Sequence, residues 1–232
     1  MPPKKQYGTG RQPMKVETVL FALEIVGTVA FAITGVITSI EKKFDIFGAL
    51  VLGTVTAVGG GILRDLILGY TPPMAFRKSV YAVTAVITSL AVFIIAYFLG
   101  TRIKKHFDVY SQVINIFDSI GLAVFVVGGV NAAIACGFGE NMFLSAFVGT
   151  LTGIGGGVMR DIMAGRVPKI LRKRVYALAA IIGSVLYYLL IYYAACPSTL
   201  AIIIGAGSVL IIRILATIFH WNLPTVKNLE EE

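Results

Sequence analysis

Four stretches of this chain, Thr18 to Ser39, Val80 to Gly100, Val175 to Cys196 and Thr199 to Phe219, each run almost unbroken in apolar residues. Each reaches the roughly 20 residues that a helix needs to cross about 30 Å of hydrocarbon. With 57% hydrophobic and only 14% charged residues, the chain needs lipid as its solvent. Lipid offers no hydrogen bonds, so a spanning segment must satisfy its own backbone, as a helix or a closed barrel does. The runs are continuously apolar rather than polar at every second position, which excludes barrel strands. Apolar windows between charged or proline-containing breaks predict seven transmembrane helices near 18–39, 47–69, 78–100, 112–135, 142–165, 174–196 and 199–220. The expected fold class is all-α.

The formal charge of +8 would point to nucleic acid in a soluble protein, but here the basic residues sit in short loops between apolar runs. They read as topology signals, with no nucleic-acid partner. Eleven of them, including Lys42, Lys43, Arg102, Lys104, Lys105 and the cluster from Arg166 to Arg174, fall after the first, third and fifth helices or in the C-terminal tail. Six fall on the other side: Lys4, Lys5, Arg11, Lys15, Arg77 and Lys78. The positive-inside bias therefore places the N-terminus outside and the C-terminus in the cytoplasm. Residues 1–16 read as a polar lead-in outside the core.

An internal repeat organises the rest. Thr56-Ala-Val-Gly-Gly-Gly-Ile-Leu-Arg-Asp-Leu-Ile-Leu-Gly-Tyr-Thr-Pro72 returns 96 residues later as Thr152-Gly-Ile-Gly-Gly-Gly-Val-Met-Arg-Asp-Ile-Met-Ala-Gly-Arg-Val-Pro168. In the preceding helices Glu24, Gly27, Phe31 and Gly35 align with Asp118, Gly121, Phe125 and Gly129 at an offset of 94. Each unit thus has three helices, over 17–110 and 111–197. A seventh helix over 198–220 and a tail over 221–232 follow. An odd number of crossings makes the second copy enter from the opposite side, so the repeats are inverted about an axis in the membrane plane.

Inverted repeats commonly place a solute pathway at their interface near the midplane. Gly59, Gly60 and Gly61, and Gly155, Gly156 and Gly157, lie inside apolar spans, where glycine weakens a helix. Both helices are expected to bend or break there and line a cavity, with close helix packing through small residues as the alternative. Arg64-Asp65 and Arg160-Asp161 follow within the same windows and are candidates for polar groups along the pathway. The alternative is that each Arg snorkels to headgroups while its Asp pairs with a neighbouring helix. Adjacent residues point about 100° apart, so the two members of a pair are not expected to face one narrow channel together. Glu24 and Asp118 lie on small-residue stripes and could either pair with Arg64 and Arg160 or bind ions themselves.

Other chemistries lack their parts. The glycine triplets are followed by neither the Lys-Ser/Thr of a phosphate-binding loop nor preceded by a strand. His106 and His220 are the only histidines, and Cys136 and Cys196 have no metal or redox spacing. No cofactor, metal site or enzyme activity is expected. Arg213 and the cluster from Arg166 to Arg174 could meet lipid headgroups.

The twice-repeated Gly-Gly-Gly-x-x-Arg-Asp with its following Gly and Pro, at 59–72 and 155–168, resembles the prokaryotic branch of the trimeric intracellular cation (TRIC) channel family. That resemblance implies a homotrimer with a pore in each subunit and kinks at the glycines of the second and fifth helices. It also implies permeation by potassium and some sodium across a plasma membrane. Arg64, Asp65, Arg160 and Asp161 would be the polar groups near the kinks. Related bacterial sequences are also labelled glycine transporters, which keeps a secondary transporter of a small solute as a second reading. The eukaryotic branch has a Lys-Glu-Val type sequence in place of the first triplet, so its residue roles do not carry over to Gly59 to Gly61.

Overall fold

The computed structural model describes residues 14–99, 107–172, 174–219 and 221. Most of the expected N- and C-terminal tails, and the basic residues Arg102, Lys104, Lys105, Lys173 and Lys227, lie outside the described residues. Among the described residues, seven helices are long and apolar enough to cross a membrane. They are α1 (Met14–Glu41), α2 (Ile46–Ile67), α4 (Ser79–Leu99), α5 (Phe107–Ala133), α6 (Met142–Met163), α8 (Arg174–Tyr192) and α9 (Ser198–Ile218). Two single-turn helices that the sequence did not suggest, α3 (Met74–Arg77) and α7 (Lys169–Arg172), precede α4 and α8.

The punctuation of the two units matches. Asp45 starts α2 by accepting from Gly48 N at 2.7 Å, and Asn141 starts α6 by accepting from Leu144 N at 2.9 Å. Both helices stop at a left-handed glycine, Gly69 (φ 71°) and Gly165 (φ 63°). In each, the following amide reaches back five residues: Tyr70 N to Asp65 O and Arg166 N to Asp161 O, both 2.8 Å. This closing geometry is open to glycine because it lacks a Cβ. Nothing lies within 4 Å of a Cβ built on either glycine, so alanine there meets backbone strain alone. We expect Gly69→Ala and Gly165→Ala each to cost about 1–2 kcal/mol, read as a lower unfolding midpoint in detergent.

α1, α2, α5 and α6 form the centre. α4 packs on α1 and α2, α8 on α5 and α6, and α9 closes the second unit against α8 and α5. The two units are inverted three-helix repeats with α9 added. Phe31 and Phe125 meet across their interface with ring centroids 5.3 Å apart. Each ring fills the space beside a glycine of the opposite unit, Phe125 beside Gly27 and Phe31 beside Gly121. Gly35 lets α1 close on Gly53 and Thr56 of α2, and Gly129 lets α5 close on Gly149 and Thr152 of α6. The outer helices turn apolar side chains outward, among them Ile87, Ile94 and Phe98 of α4 and Ile203, Ile211 and Ile218 of α9. Such a surface suits hydrocarbon and would be costly in water. The chain is a multi-pass membrane protein.

Candidate functional site: paired charge clusters at the centre of each repeat

The glycine triplets do not break their helices. α2 runs through Gly59 to Gly61 and α6 through Gly155 to Gly157 without interruption. The expected break is replaced by a crossing. A Cβ on Gly60 would collide with the carbonyl oxygen of Thr152, and one on Gly156 with that of Thr56. Gly155 likewise faces the Cα of Gly60 at 3.2 Å from its own notional Cβ. Both middle glycines are buried, and the two helices touch backbone to backbone. Gly61 and Gly157 look the other way, toward Arg64 and toward Tyr176 with Arg160.

One turn beyond the triplets, the charged residues gather into two clusters related by the repeat. In the second, Arg160 is 1% exposed and Asp118 fully buried. Arg160 donates from Nη1 and Nη2 to Asp118 at 2.5 and 3.2 Å, from Nε and Nη2 to Asp161 at 3.0 and 2.9 Å, and from Nη1 to Thr34 Oγ1 at 2.8 Å. In the first, Arg64 donates from Nε to Asp65 at 2.7 Å and stands 3.6 Å from Glu24, whose carboxylate accepts from the Tyr81 hydroxyl. Arg64 is 8% exposed. Neither arginine snorkels, because each has its carboxylates inside the protein. Arg and Asp of one pair also converge, contrary to the divergence expected from their Cβ directions. The long arginine side chain reaches round to its neighbour, and in the first cluster both line one cavity. The structural pairing left open for the two acids is present in both clusters, tight at Asp118 and loose at Glu24.

Each Asp also ties its helix to the next element. Asp65 Oδ2 accepts from Met74 N at 2.6 Å and Asp161 Oδ2 from Lys169 N at 3.0 Å. Those partners are 95 residues apart, one fewer than the aspartates, so Pro73 rather than Pro72 is the counterpart of Pro168. The first loop carries one extra residue. A cavity of about 30 Å³ lies in the first cluster, lined by Glu24, Thr28, Gly61, Arg64, Asp65, Met74, Tyr81 and others.

Comparison with known proteins places this arrangement. A family model described as "Glycine transporter" matches the chain twice, over residues 21–97 and 115–192, one match per three-helix unit. The UPF0126 inner membrane protein YadS of Escherichia coli K12 is 36% identical over 89% of this chain and 96% of its own length. The chain belongs to the UPF0126 family. Among solved structures it is similar to a TRIC cation channel, at 38% identity over 91% of this chain and 98% of that one, with a TM-score of 0.78. It is also similar to the TRIC trimeric intracellular cation channel orthologue from Rhodobacter sphaeroides, at 29% identity over 88% and 100%, with a TM-score of 0.79. The resemblance to prokaryotic TRIC channels carried by the repeated motif thus extends over nearly the whole chain.

In this UPF0126 family member three further residues join the clusters. Tyr81 and Tyr176 open the third helix of each unit, and the sequence signal for them is the run Arg77-Lys78-Ser-Val-Tyr81, which returns as Arg172-Lys173-Arg-Val-Tyr176 at an offset of 95. Lys169 has no such signal, because its counterpart is Met74. Its ammonium donates to Asp118 Oδ2 at 2.7 Å and to Asn115 Oδ1 at 3.2 Å. Burial draws the Lys169 ammonium below the usual lysine range, against the pull of Asp118. Of the other basic candidates, Arg166 pairs with Glu41 at 2.5 Å. Arg213 lies inside the bundle over the Tyr176 ring and donates to Ser119, rather than standing on the lipid surface.

Proposed function

We propose that the protein is a monovalent-cation channel, permeable to potassium and to some sodium. It works in the bacterial inner membrane as a homotrimer with one pore in each subunit, the N-terminus outside and the C-terminus in the cytoplasm. What carries this reading is the likeness to TRIC cation channels over nine-tenths of the chain. The buried charge clusters support it physically. Ionisable groups held inside a membrane bundle are expensive and mark ion pathways, and here each cluster sits within one repeat and reaches the other, through Thr34 at Arg160 and Phe125 at the first cavity, close to the repeat interface where such pathways run. Glu24, Arg64 and Asp65, with Asp118, Arg160 and Asp161 as their counterparts in the second repeat, are the polar groups beside that path. The glycine triplets bring α2 and α6 close enough to seal or open it at their crossing. No reacting group is needed.

The family model's description favours one other reading, a secondary transporter of glycine. The test is current through purified protein in planar bilayers under a potassium chloride gradient, followed by sodium replacement and by glycine uptake into liposomes. A channel gives discrete openings whose reversal potential follows the cation gradient. Electrical silence with saturable glycine uptake would replace the channel with the transporter.

A further inference from the structure

The two charge clusters obey one pattern, and three of their differences bear on one positive charge and the room around it. The second cluster has two carboxylates, Asp118 and Asp161, facing two cations, Arg160 and Lys169. Among the described residues, the first has Glu24 and Asp65 facing the one cation Arg64, with Met74 at the position of Lys169. The space differs with the charge. In the second cluster the pocket lined by Gly157, Arg160, Asp161, Lys169 and Tyr176 has no room for a water molecule, whereas its counterpart in the first has about 30 Å³. A water needs roughly 10–15 Å³ measured this way. The third difference concerns the partners of the arginines. Thr34 of α1 reaches Arg160, while the matching residue of α5 beside Glu24 is Gly128, which has no side chain to reach Arg64.

We propose that Lys169 is a tethered cation, filling in the second half of the protein the place that the first half leaves for a monovalent cation from solution beside Glu24. An ammonium group has the charge of a potassium ion and nearly its size. The second cluster therefore displays the ligand that the first is shaped to take. A carboxylate in a low-dielectric setting with an uncompensated charge favours a cation at its side. Glu24 is the loosely held acid: its side chain is 22% exposed, and it stands 3.6 Å from its arginine, against 2.5 Å for Asp118. The cavity admits a small cation that has shed most of its water and excludes a bulky organic one. Under the channel reading, on which this last consequence rests, Lys169 bars ions from the second cluster, and the first is the one they use.

The experiment compares wild type, Met74→Lys and Glu24→Gln in detergent, in potassium chloride and in N-methylglucamine chloride of equal strength. Potassium should raise the wild-type unfolding midpoint by about 2–4 °C. The rise should vanish in Met74→Lys, which supplies its own ammonium, and in Glu24→Gln, which lacks the carboxylate. No rise in wild type, or an equal rise in either variant, overturns the proposal. The same proteins in bilayers separate it from the channel reading. If wild type conducts, Met74→Lys should lose about tenfold or more of the current, since a fixed like charge in the path repels the ion; an undiminished current overturns the tethered-cation role. If wild type carries no current the channel reading falls, and the potassium shift still decides the site.

Discussion

Gly60→Ala and Gly156→Ala are each expected to lower the yield and unfolding midpoint of the protein sharply, at a cost of about 3 kcal/mol, the upper end of overpacking penalties. The reason is what the added methyl group meets. At both positions it lands on a backbone carbonyl of the facing helix, which cannot rotate away as a side chain can. α2 and α6 would have to separate along the axis on which the two repeats join. Gly61→Ala is the control. The nearest atom to its notional Cβ is Arg64 Nη2 at 4.0 Å. Alanine is favoured over glycine in a helix interior by roughly 1 kcal/mol, so this variant should be neutral or slightly stabilised. Size-exclusion profiles of the three variants after a temperature ramp check the contrast. Equal behaviour of Gly60→Ala and Gly61→Ala would show that the triplet serves helix flexibility rather than the crossing.

The second large effect separates the two clusters. Asp118→Asn should destabilise the protein by about 3–5 kcal/mol, because it leaves the buried Arg160 and the half-buried Lys169 with, among the described residues, Asp161 alone to balance them. Glu24→Gln should change the unfolding midpoint little, by the equivalent of about 0–1 kcal/mol, since the carboxylate is partly exposed and its contact with Arg64 is long. Arg64 keeps Asp65, and the amide oxygen can still accept from Tyr81. Thermal unfolding of both variants in the same detergent gives the comparison. Comparable losses would mean that Glu24 is as firmly committed to structure as Asp118.

Much of the fold could be read from periodicity and length alone. The seven spans needed only the run lengths of apolar residues, and the inversion needed only the parity of a three-helix repeat. Both are properties of lipid as a solvent, which leaves the backbone few options. Helix ends were harder. The short helices at Met74–Arg77 and Lys169–Arg172 have no apolar run to announce them, and they exist because Asp65 and Asp161 hold their first amides.

The charged residues were recognisable in the sequence as a set, since Glu24, Arg64, Asp65 and their copies stand out against apolar neighbours. Their partners were not. Whether Arg64 turns toward headgroups or toward Glu24 depends on what α1 places beside it, 40 residues away in the chain. Likewise a glycine triplet in a helix is compatible with a break or with a crossing. The choice rests on whether another backbone arrives at van der Waals distance, and here that backbone belongs to the other repeat. The sequence by itself determined the solvent, the number of spans, the duplication and the identity of the buried charges. All of these follow from composition and spacing along one chain. Tertiary structure alone decided which carboxylate holds which arginine, that the glycines join helices rather than break them, and that Lys169 closes one cluster while Met74 leaves the other open. Those outcomes depend on distances between residues that local propensity does not encode.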